Sequence, residues 1–128
     1  MKILLIDDNQ DITELLSNYL TIKGHECTVC NDGRNGTSLI LEKHFDAVIL
    51  DLAMPEYTGF DVIDDLEKAG KLKNQKIILF TASSAKNEDI EKILKKGVHS
   101  CLRKPVRLEV FLKTLGNGVD SNIDGGGS

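Results

Sequence analysis

The chain has 128 residues, a net charge of −4 at pH 7 and three cysteines, with 41% hydrophobic and 28% charged residues. These values are typical of one globular domain with a single core, and they argue against a protein that grips nucleic acid through a basic surface. No apolar run approaches the ~20 residues that span a bilayer, and the first residues lack the features of a signal peptide. We therefore expect a cytoplasmic protein that contacts neither nucleic acid nor membrane.

The chain begins with a strand pattern that is followed by a helix pattern. The apolar run "KILLI" (2–6) predicts a strand that is covered on both faces. The next segment has apolar residues at helical spacing and ends at a glycine, Gly24. Its predicted inward residues are Ile12, Leu15, Leu16, Tyr19 and Leu20. A second short strand, "ECTVC" (26–30), is closed by turn residues.

The second strand contains a C-x-x-C sequence formed by Cys27 and Cys30. Redox-active pairs of this kind lie at the start of a helix, where the thiolate is stabilised. On a strand, residues three apart face opposite sides of the sheet. We therefore interpret both cysteines as small buried residues, and not as a redox pair or, with His25, as a metal site.

The alternation of strands and helices continues to residue 115. The remaining strands are predicted at 46–50, 76–80 and 99–102. Apolar residues at helical spacing mark the helices: Leu39, Ile40 and Leu41 in the second, Phe60, Ile63 and Leu66 in the third, Ile90, Ile93 and Leu94 in the fourth, and Leu108, Phe111, Leu112 and Leu115 in the fifth. Five such repeats predict an α/β fold, a three-layer sandwich around a doubly wound, five-stranded parallel sheet.

The domain is predicted to end near residue 116. We assign residues 1–116 to it and the glycine-rich segment 117–128 to a flexible tail or linker. The last four residues, "GGGS", could equally be an artificial addition.

Polar residues follow the predicted strands. Asp7 and Asp8 follow the first strand, Asp51 the third and Thr81 the fourth, and Lys104 lies near the end of the fifth. In an open parallel sheet, ligands bind beyond the carboxyl ends of the strands, where the strand order reverses. The flavodoxin-like order 2-1-3-4-5 places the first and third strands side by side at that point. We therefore expect these five residues to share one pocket.

The predicted pocket contains three carboxylates and one lysine. Each close like-charge contact costs on the order of 4 kcal/mol at an effective dielectric constant near 20, so either a proton or a divalent cation should enter. An all-oxygen site with room for water suits Mg²⁺ or Mn²⁺. Such a metal next to a lysine would neutralise a phosphoryl group, and Asp51 can accept one because carboxylates form acyl phosphates.

Four motifs, "LLIDDNQ", "VILDLAMPEYTGF", "IILFTASS" and "LRKP", resemble the receiver domain of two-component response regulators, from residue 2 to about residue 115. The resemblance implies that Asp51 is the phosphoacceptor. It also implies a Mg²⁺ site in which Asp8, Asp51 and the backbone carbonyl of Ala53 bind the ion directly, and Asp7 acts mainly through water.

The resemblance also assigns roles to the last two strands. The Thr81 hydroxyl and the Ala82 N–H would bind the phosphoryl group, and Lys104 would pair with another phosphoryl oxygen. In the family, the bond between Lys104 and Pro105 is cis.

Two features of the surrounding loops follow from the same resemblance. Pro55 and Gly59 would shape the turn after the phosphoacceptor. An aromatic residue usually lies three positions before the lysine and turns inward when the threonine moves, but this chain has Cys101 there. Two interpretations stay open: the output after phosphorylation differs, or a smaller side chain packs at this position with little consequence.

The function implied is a phosphorylation-dependent signalling module and not an enzyme. A sensor histidine kinase or phosphotransfer protein would supply the phosphoryl group, and a downstream effector protein would bind the switched surface of the fourth helix, fifth strand and fifth helix. One alternative is an aspartyl-phosphate phosphohydrolase, which usually needs an acid/base Asp where this chain has Ala53. Another is a degenerate receiver used only for docking, which would bind no Mg²⁺.

Overall fold

The computed structural model describes residues 1–116, which form five parallel strands and five helices. In chain order they are β1 (Lys2–Ile6), α1 (Gln10–Ile22), β2 (Glu26–Cys30), α2 (Gly33–Glu42), β3 (Ala47–Leu50), α3 (Gly59–Lys68), β4 (Ile77–Ala82), α4 (Asn87–Lys95), β5 (Ser100–Lys104) and α5 (Leu108–Leu115), with a 3-10 turn at Leu72–Asn74. The strand order β2-β1-β3-β4-β5 confirms the predicted sheet. The predicted tail, residues 117–128, lies outside the described residues.

The sheet separates two hydrophobic cores. Helices α2, α3 and α4 pack on one face, where Ile40, Ile63 and Ile90 are buried. Helices α1 and α5 pack on the other face through Leu16 and Phe111. Because successive side chains of a strand point to opposite faces, β1, β3 and β4 supply both cores. This two-sided burial explains why these strands are continuous apolar runs in the sequence.

Side-chain caps begin the first three helices and set where the loops after β1, β2 and β3 end. Asn9 caps α1 and Asp32 caps α2 by accepting hydrogen bonds from backbone N–H groups of the first turn. Thr58 and Asp61 form a capping box at α3. Gly24 follows α1 with a φ of 93°, a conformation that glycine adopts without strain, and this agrees with the predicted helix end.

The helical pattern is wrong for three side chains. It predicts Leu15, Leu41 and Phe60 inward, but they are 59%, 43% and 39% exposed. Each lies at the edge of the apolar stripe of its helix, and only a stripe about 100° wide can face the sheet. Val62, which the pattern does not select, is fully buried on α3.

The two cysteines of β2 face opposite sides of the sheet, as the strand pattern predicts, but only Cys30 is buried, whereas Cys27 is partly buried. Cys27 packs against the α1/α5 core, Cys30 belongs to the opposite core, and both are free thiols. Burial raises the pKa of each thiol, which disfavours the reactive thiolate. Among the described residues, no helix is both long and apolar enough to cross a bilayer.

Candidate functional site

The carboxyl end of the sheet brings three of the predicted residues into contact. Asp7 follows β1 and Asp51 follows β3, and these strands pair so that Ile6 lies opposite Leu50. Lys104 ends β5 and reaches back across the sheet. Its Nζ lies 2.9 Å from Asp7 Oδ2 and 3.7 Å from Asp51 Oδ2. Residues from distant parts of the sequence therefore form one charged site.

Asp7, Asp8 and Asp51 form an acidic cluster at this site. Each offers a carboxylate oxygen, and the three oxygens lie within 4.8 Å of one another. Asp7 and Asp51 are buried, with 5% of each residue exposed, whereas Asp8 is exposed. Converging oxygens that are open to solvent on one side are the donors that hard divalent cations such as Mg²⁺ prefer. The residues present therefore fit a magnesium site.

Among the described residues, the positive charge at the site does not balance the negative charge. Burial raises the pKa of Asp51, and the charges of Asp7 and Asp8 raise it further. The ammonium group of Lys104 opposes this shift, as does the N–H of Ala53, which donates to Asp51 Oδ1 over 3.2 Å. The net shift of the Asp51 pKa is upward. The site therefore disfavours an ionised Asp51 until further positive charge arrives.

Asp7 is fixed by three hydrogen bonds with neighbouring groups. Its Oδ1 accepts from the Asn9 N–H at 2.9 Å, and its backbone carbonyl accepts from Asn31 Nδ2 at 2.8 Å. Its own N–H donates to the carbonyl of Cys30 at 3.1 Å. These contacts leave Oδ2 facing Lys104. Asn31 is not among the residues predicted for the site, although its position directly after β2 was an available signal.

The loop after β3 passes very close to the backbone of Asp51. A Cβ atom at Gly59 would lie 2.4 Å from the Asp51 carbonyl oxygen and 2.7 Å from Leu52 Cα. Real Cβ atoms essentially never approach so closely, so only glycine fits without a backbone shift. The Tyr57 N–H donates to the carbonyl of Pro55 at 2.6 Å and closes the preceding turn.

Thr81 and Ala82 belong to β4 itself, which extends two residues beyond its predicted end. In the same way β5 continues to Lys104, and Ala82 lies opposite Lys104 in the ladder. The position and direction of these residues are therefore set by strand pairing and not by a loop.

The side chain of Thr81 is almost completely buried, with 1% of the residue exposed. Within residues 1–116, its hydroxyl makes no hydrogen bond to another protein group. A buried polar group without a partner costs about 1–3 kcal/mol. Thr81 also lines a groove of about 270 Å³ together with Ala53, Ala82 and Phe60. Its hydroxyl is therefore available to a ligand on this side of the sheet.

Two features of the segment around Lys104 bear on what the resemblance implies. The bond between Lys104 and Pro105 is cis. Cys101 lies opposite Leu79 and packs against the α2/α3/α4 core, where burial raises the pKa of its thiol. Cys101 thus packs beside the core as a small residue, and both interpretations of its effect on the output stay predictions.

The chain matches the family model of the response regulator receiver domain over residues 3–116. It belongs to this family. Receiver domains of this kind occur in two-component signalling, and the acidic cluster of this chain fits that assignment.

Similar receiver domains occur in longer proteins. The chain is 30% identical over 115 residues to the sensor histidine kinase RcsC of Escherichia coli, covering 90% of this chain and 12% of the kinase. It is 34% identical over 106 residues to the transcriptional regulatory protein CpxR homolog of Haemophilus influenzae, covering 81% of this chain and 44% of that protein. The chain thus spans less than half the length of these curated relatives.

Solved structures of similar proteins have the same fold. The chemotaxis protein CheY4 of Vibrio cholerae is 29% identical, with a TM-score of 0.79, and the match covers 89% of this chain and 94% of that chain. The response regulator protein TrrA of Thermotoga maritima, in complex with Mg(2+)-BeF, is 30% identical, with a TM-score of 0.73, and the match covers 89% of this chain and 97% of that chain.

Proposed function

We propose that this receiver domain accepts a phosphoryl group on Asp51 from a phosphohistidine of a sensor histidine kinase or phosphotransfer protein. The observation that carries the proposal is the convergence of Asp7, Asp8 and Asp51 with Lys104 at one end of the sheet. This arrangement is unfavourable on its own, since like charges repel, and it becomes favourable when a cation and a phosphoryl group bind together.

The acidic cluster supplies the ligands for a divalent cation. Asp8, Asp51 and the backbone carbonyl of Ala53 would hold Mg²⁺, or Mn²⁺, directly, and Asp7 would act through water. When bound, the ion would neutralise negative charge on the phosphoryl oxygens.

Asp51 provides the nucleophile. Its Oδ1 accepts the Ala53 N–H, and its Oδ2 faces Lys104, so the carboxylate is held in one orientation. A carboxylate oxygen attacks phosphorus, an O–P bond forms and the N–P bond of phosphohistidine breaks. The electron pair of that bond stays on the imidazole nitrogen, which takes up a proton.

Three further groups would bind the phosphoryl oxygens. Lys104 would exchange its contact with a carboxylate for one with a phosphoryl oxygen. The buried Thr81 hydroxyl and the Ala82 N–H would donate hydrogen bonds. Supporting this role, the Thr81 hydroxyl has no protein partner within residues 1–116 and would gain one.

Phosphorylation would change a surface for a downstream effector protein. Thr81 and Ala82 lead directly into the loop before α4, so a movement toward the phosphoryl group would displace that loop. We infer that the changed surface lies on α4, β5 and α5. We also infer that the domain acts in the cytoplasm, as a signalling module without independent substrate turnover.

Acetyl phosphate with Mg²⁺ provides the test. Intact-mass measurement should show one added phosphoryl group on the wild-type chain and none on Asp51→Asn. Asp46→Asn is the matched control, because Asp46 lies at the other end of the sheet, where it accepts the Lys2 N–H; it should be phosphorylated like the wild type. Phosphorylation of Asp51→Asn at the wild-type level would contradict the proposal, and steady hydrolysis of a small phosphoester would favour a phosphohydrolase.

A further inference from the structure

The aromatic ring of Phe80 lies beside Lys104 because of the register between β4 and β5. Ala82 lies opposite Lys104, and Phe80 comes two residues earlier in β4. Residues two apart on a strand share one face of the sheet, so Phe80 is the diagonal neighbour of Lys104. The Lys104 Nζ lies 5.3 Å from the centre of the Phe80 ring. This distance is within the range of a cation–π interaction.

The ring differs from the other partners of the ammonium group. Lys104 contacts Asp7 and Asp51, and both carboxylates have a second task in the proposed function, as metal ligand or phosphoacceptor. The ring face attracts a cation without forming a hydrogen bond, so it leaves the N–H donors of the lysine free. Phe80 can therefore hold the ammonium group while its hydrogen-bond partners change.

The ring itself is held in place by the core. Phe80 is 7% exposed, and its centre lies 5.8 Å from the ring of Phe111 at an interplanar angle of 40°. Phe111 is fully buried on α5. A long lysine side chain has many rotamers and loses rotamer entropy when its position is fixed. A rigid ring beside it reduces the positions that the ammonium group can occupy.

We propose that Phe80 is a positioning residue that holds the Lys104 ammonium group where a phosphoryl oxygen at Asp51 would meet it. The inference rests on the proposed function and adds a residue that does not touch the phosphoryl group. It predicts that the ring contributes to phosphoryl binding only through Lys104.

Binding of beryllofluoride, a phosphoryl mimic, in the presence of Mg²⁺ tests the proposal by calorimetry. Phe80→Leu keeps an apolar side chain but removes the ring, and we expect about threefold to tenfold weaker binding. Binding of Mg²⁺ alone should stay within about twofold of the wild type, since a cation–π contact to Lys104 is not part of the acidic cluster. Phe80→Tyr keeps the ring and should retain wild-type affinity for beryllofluoride. If Phe80→Leu does not fold, Phe80→Met replaces it, because methionine adapts to irregular space.

Phe111→Leu is the matched control. It removes a ring from the same aromatic pair without removing the ring that contacts Lys104. The stability of Phe111→Leu should fall about as much as that of Phe80→Leu, whereas its affinity for beryllofluoride should fall less than that of Phe80→Leu, because the ring that contacts Lys104 remains.

A double-mutant cycle separates positioning from a general effect on the fold. In a Lys104→Met background, Phe80→Leu should cause no further loss of beryllofluoride affinity. The same loss in both backgrounds would overturn the proposal, as would wild-type affinity of Phe80→Leu. If the wild-type chain binds no beryllofluoride at all, the proposed function fails, and this inference fails with it.

Discussion

The two ends of the parallel sheet bury polar side chains in opposite ways. Before β4, at the amino end, Gln75 is 5% exposed and its side-chain amide forms two hydrogen bonds with the backbone of Phe45, at 2.7 and 3.2 Å. At the carboxyl end, Asp51 is also 5% exposed, but it faces Asp7, and its pKa is raised. A buried polar group with complete partners stabilises the fold, whereas one with a like-charged neighbour marks a place for a ligand.

Two lysines show the same contrast. At the amino end, Lys76 Nζ donates to the carbonyl of Leu115 at 2.9 Å, in the last turn of α5, where a cation also interacts favourably with the helix dipole. Burial lowers the pKa of Lys76. At the carboxyl end, Lys104 contacts two carboxylates to which the proposed function gives other roles. One lysine has a backbone partner, and the other would, in the proposed function, exchange a carboxylate partner for a phosphoryl oxygen.

The largest expected effect on stability is at the amino end. Gln75→Leu would leave the N–H and carbonyl of Phe45 without their partners, and the free energy of unfolding should fall by about 2–4 kcal/mol, measured by urea denaturation. Phosphorylation of the folded variant by acetyl phosphate should match the wild type. Gln10→Leu, at an exposed position of α1, is the control and should change stability by less than about 0.5 kcal/mol. A loss of phosphorylation in folded Gln75→Leu would break the contrast between the two ends.

At the carboxyl end we expect a smaller effect of opposite sign on stability: without metal at neutral pH, Asp51→Asn should stabilise the fold, whereas Gln75→Leu destabilises it. Because the pKa of Asp51 is raised above its ordinary value of 3.8, the folded chain binds this proton more tightly than the unfolded chain does. The resulting stability is fully present below the ordinary pKa and is lost as pH rises through the raised pKa. Without metal, the wild type should therefore lose stability relative to Asp51→Asn from acidic to neutral pH.

Mg²⁺ should reverse that loss at neutral pH. Urea denaturation of the wild type and Asp51→Asn, with a chelator and with Mg²⁺, measures the difference directly. Asp46→Asn is the control from the other end of the sheet and should keep the wild-type response to Mg²⁺. An equal response of wild type and Asp51→Asn to Mg²⁺ would contradict the role of Asp51 at the metal site.

The smallest effect is expected from Lys76→Met. The variant loses the donor to the Leu115 carbonyl. Its free energy of unfolding should fall by about 1 kcal/mol, which corresponds to a decrease in Tm of about 4 °C. Lys92→Met, at an exposed position of α4, should leave the Tm nearly unchanged. Beryllofluoride binding should stay at the wild-type level in both variants. Weaker binding in Lys76→Met would show that the two ends of the sheet are coupled.

Much of the architecture is predictable from the sequence, for physical reasons that particular residues illustrate. The run at 2–6 is apolar throughout because both faces of β1 are covered. The strand order places the ends of β1 and β3 side by side, so the proximity of Asp7 and Asp51 follows from topology, whereas Lys104 on β5 meets them only because its long side chain reaches across the sheet. The 3-10 turn at Leu72–Asn74 is too short to produce a periodic signal and is missed.

Other features depend on packing that no single segment encodes. The exposed side chains of Leu15 and Phe60 lie at the edges of apolar stripes, and the position of a helix on the sheet decides which edge is covered. The contact between Phe80 and Lys104 requires the register of β4 and β5. Residue 59 must be glycine because the folded loop after β3 brings it against the backbone of Asp51 and Leu52, and this contact does not exist in the unfolded chain.

The contact between Lys104 and Asp7 joins residues 97 positions apart. Forming this contact closes a long loop, and that closure costs chain entropy. A nascent chain on the ribosome therefore contains all three aspartates well before the lysine that accompanies them. In the proposed function, phosphotransfer would therefore require the finished sheet with Lys104 in place, and a partly synthesised copy would not take part in it.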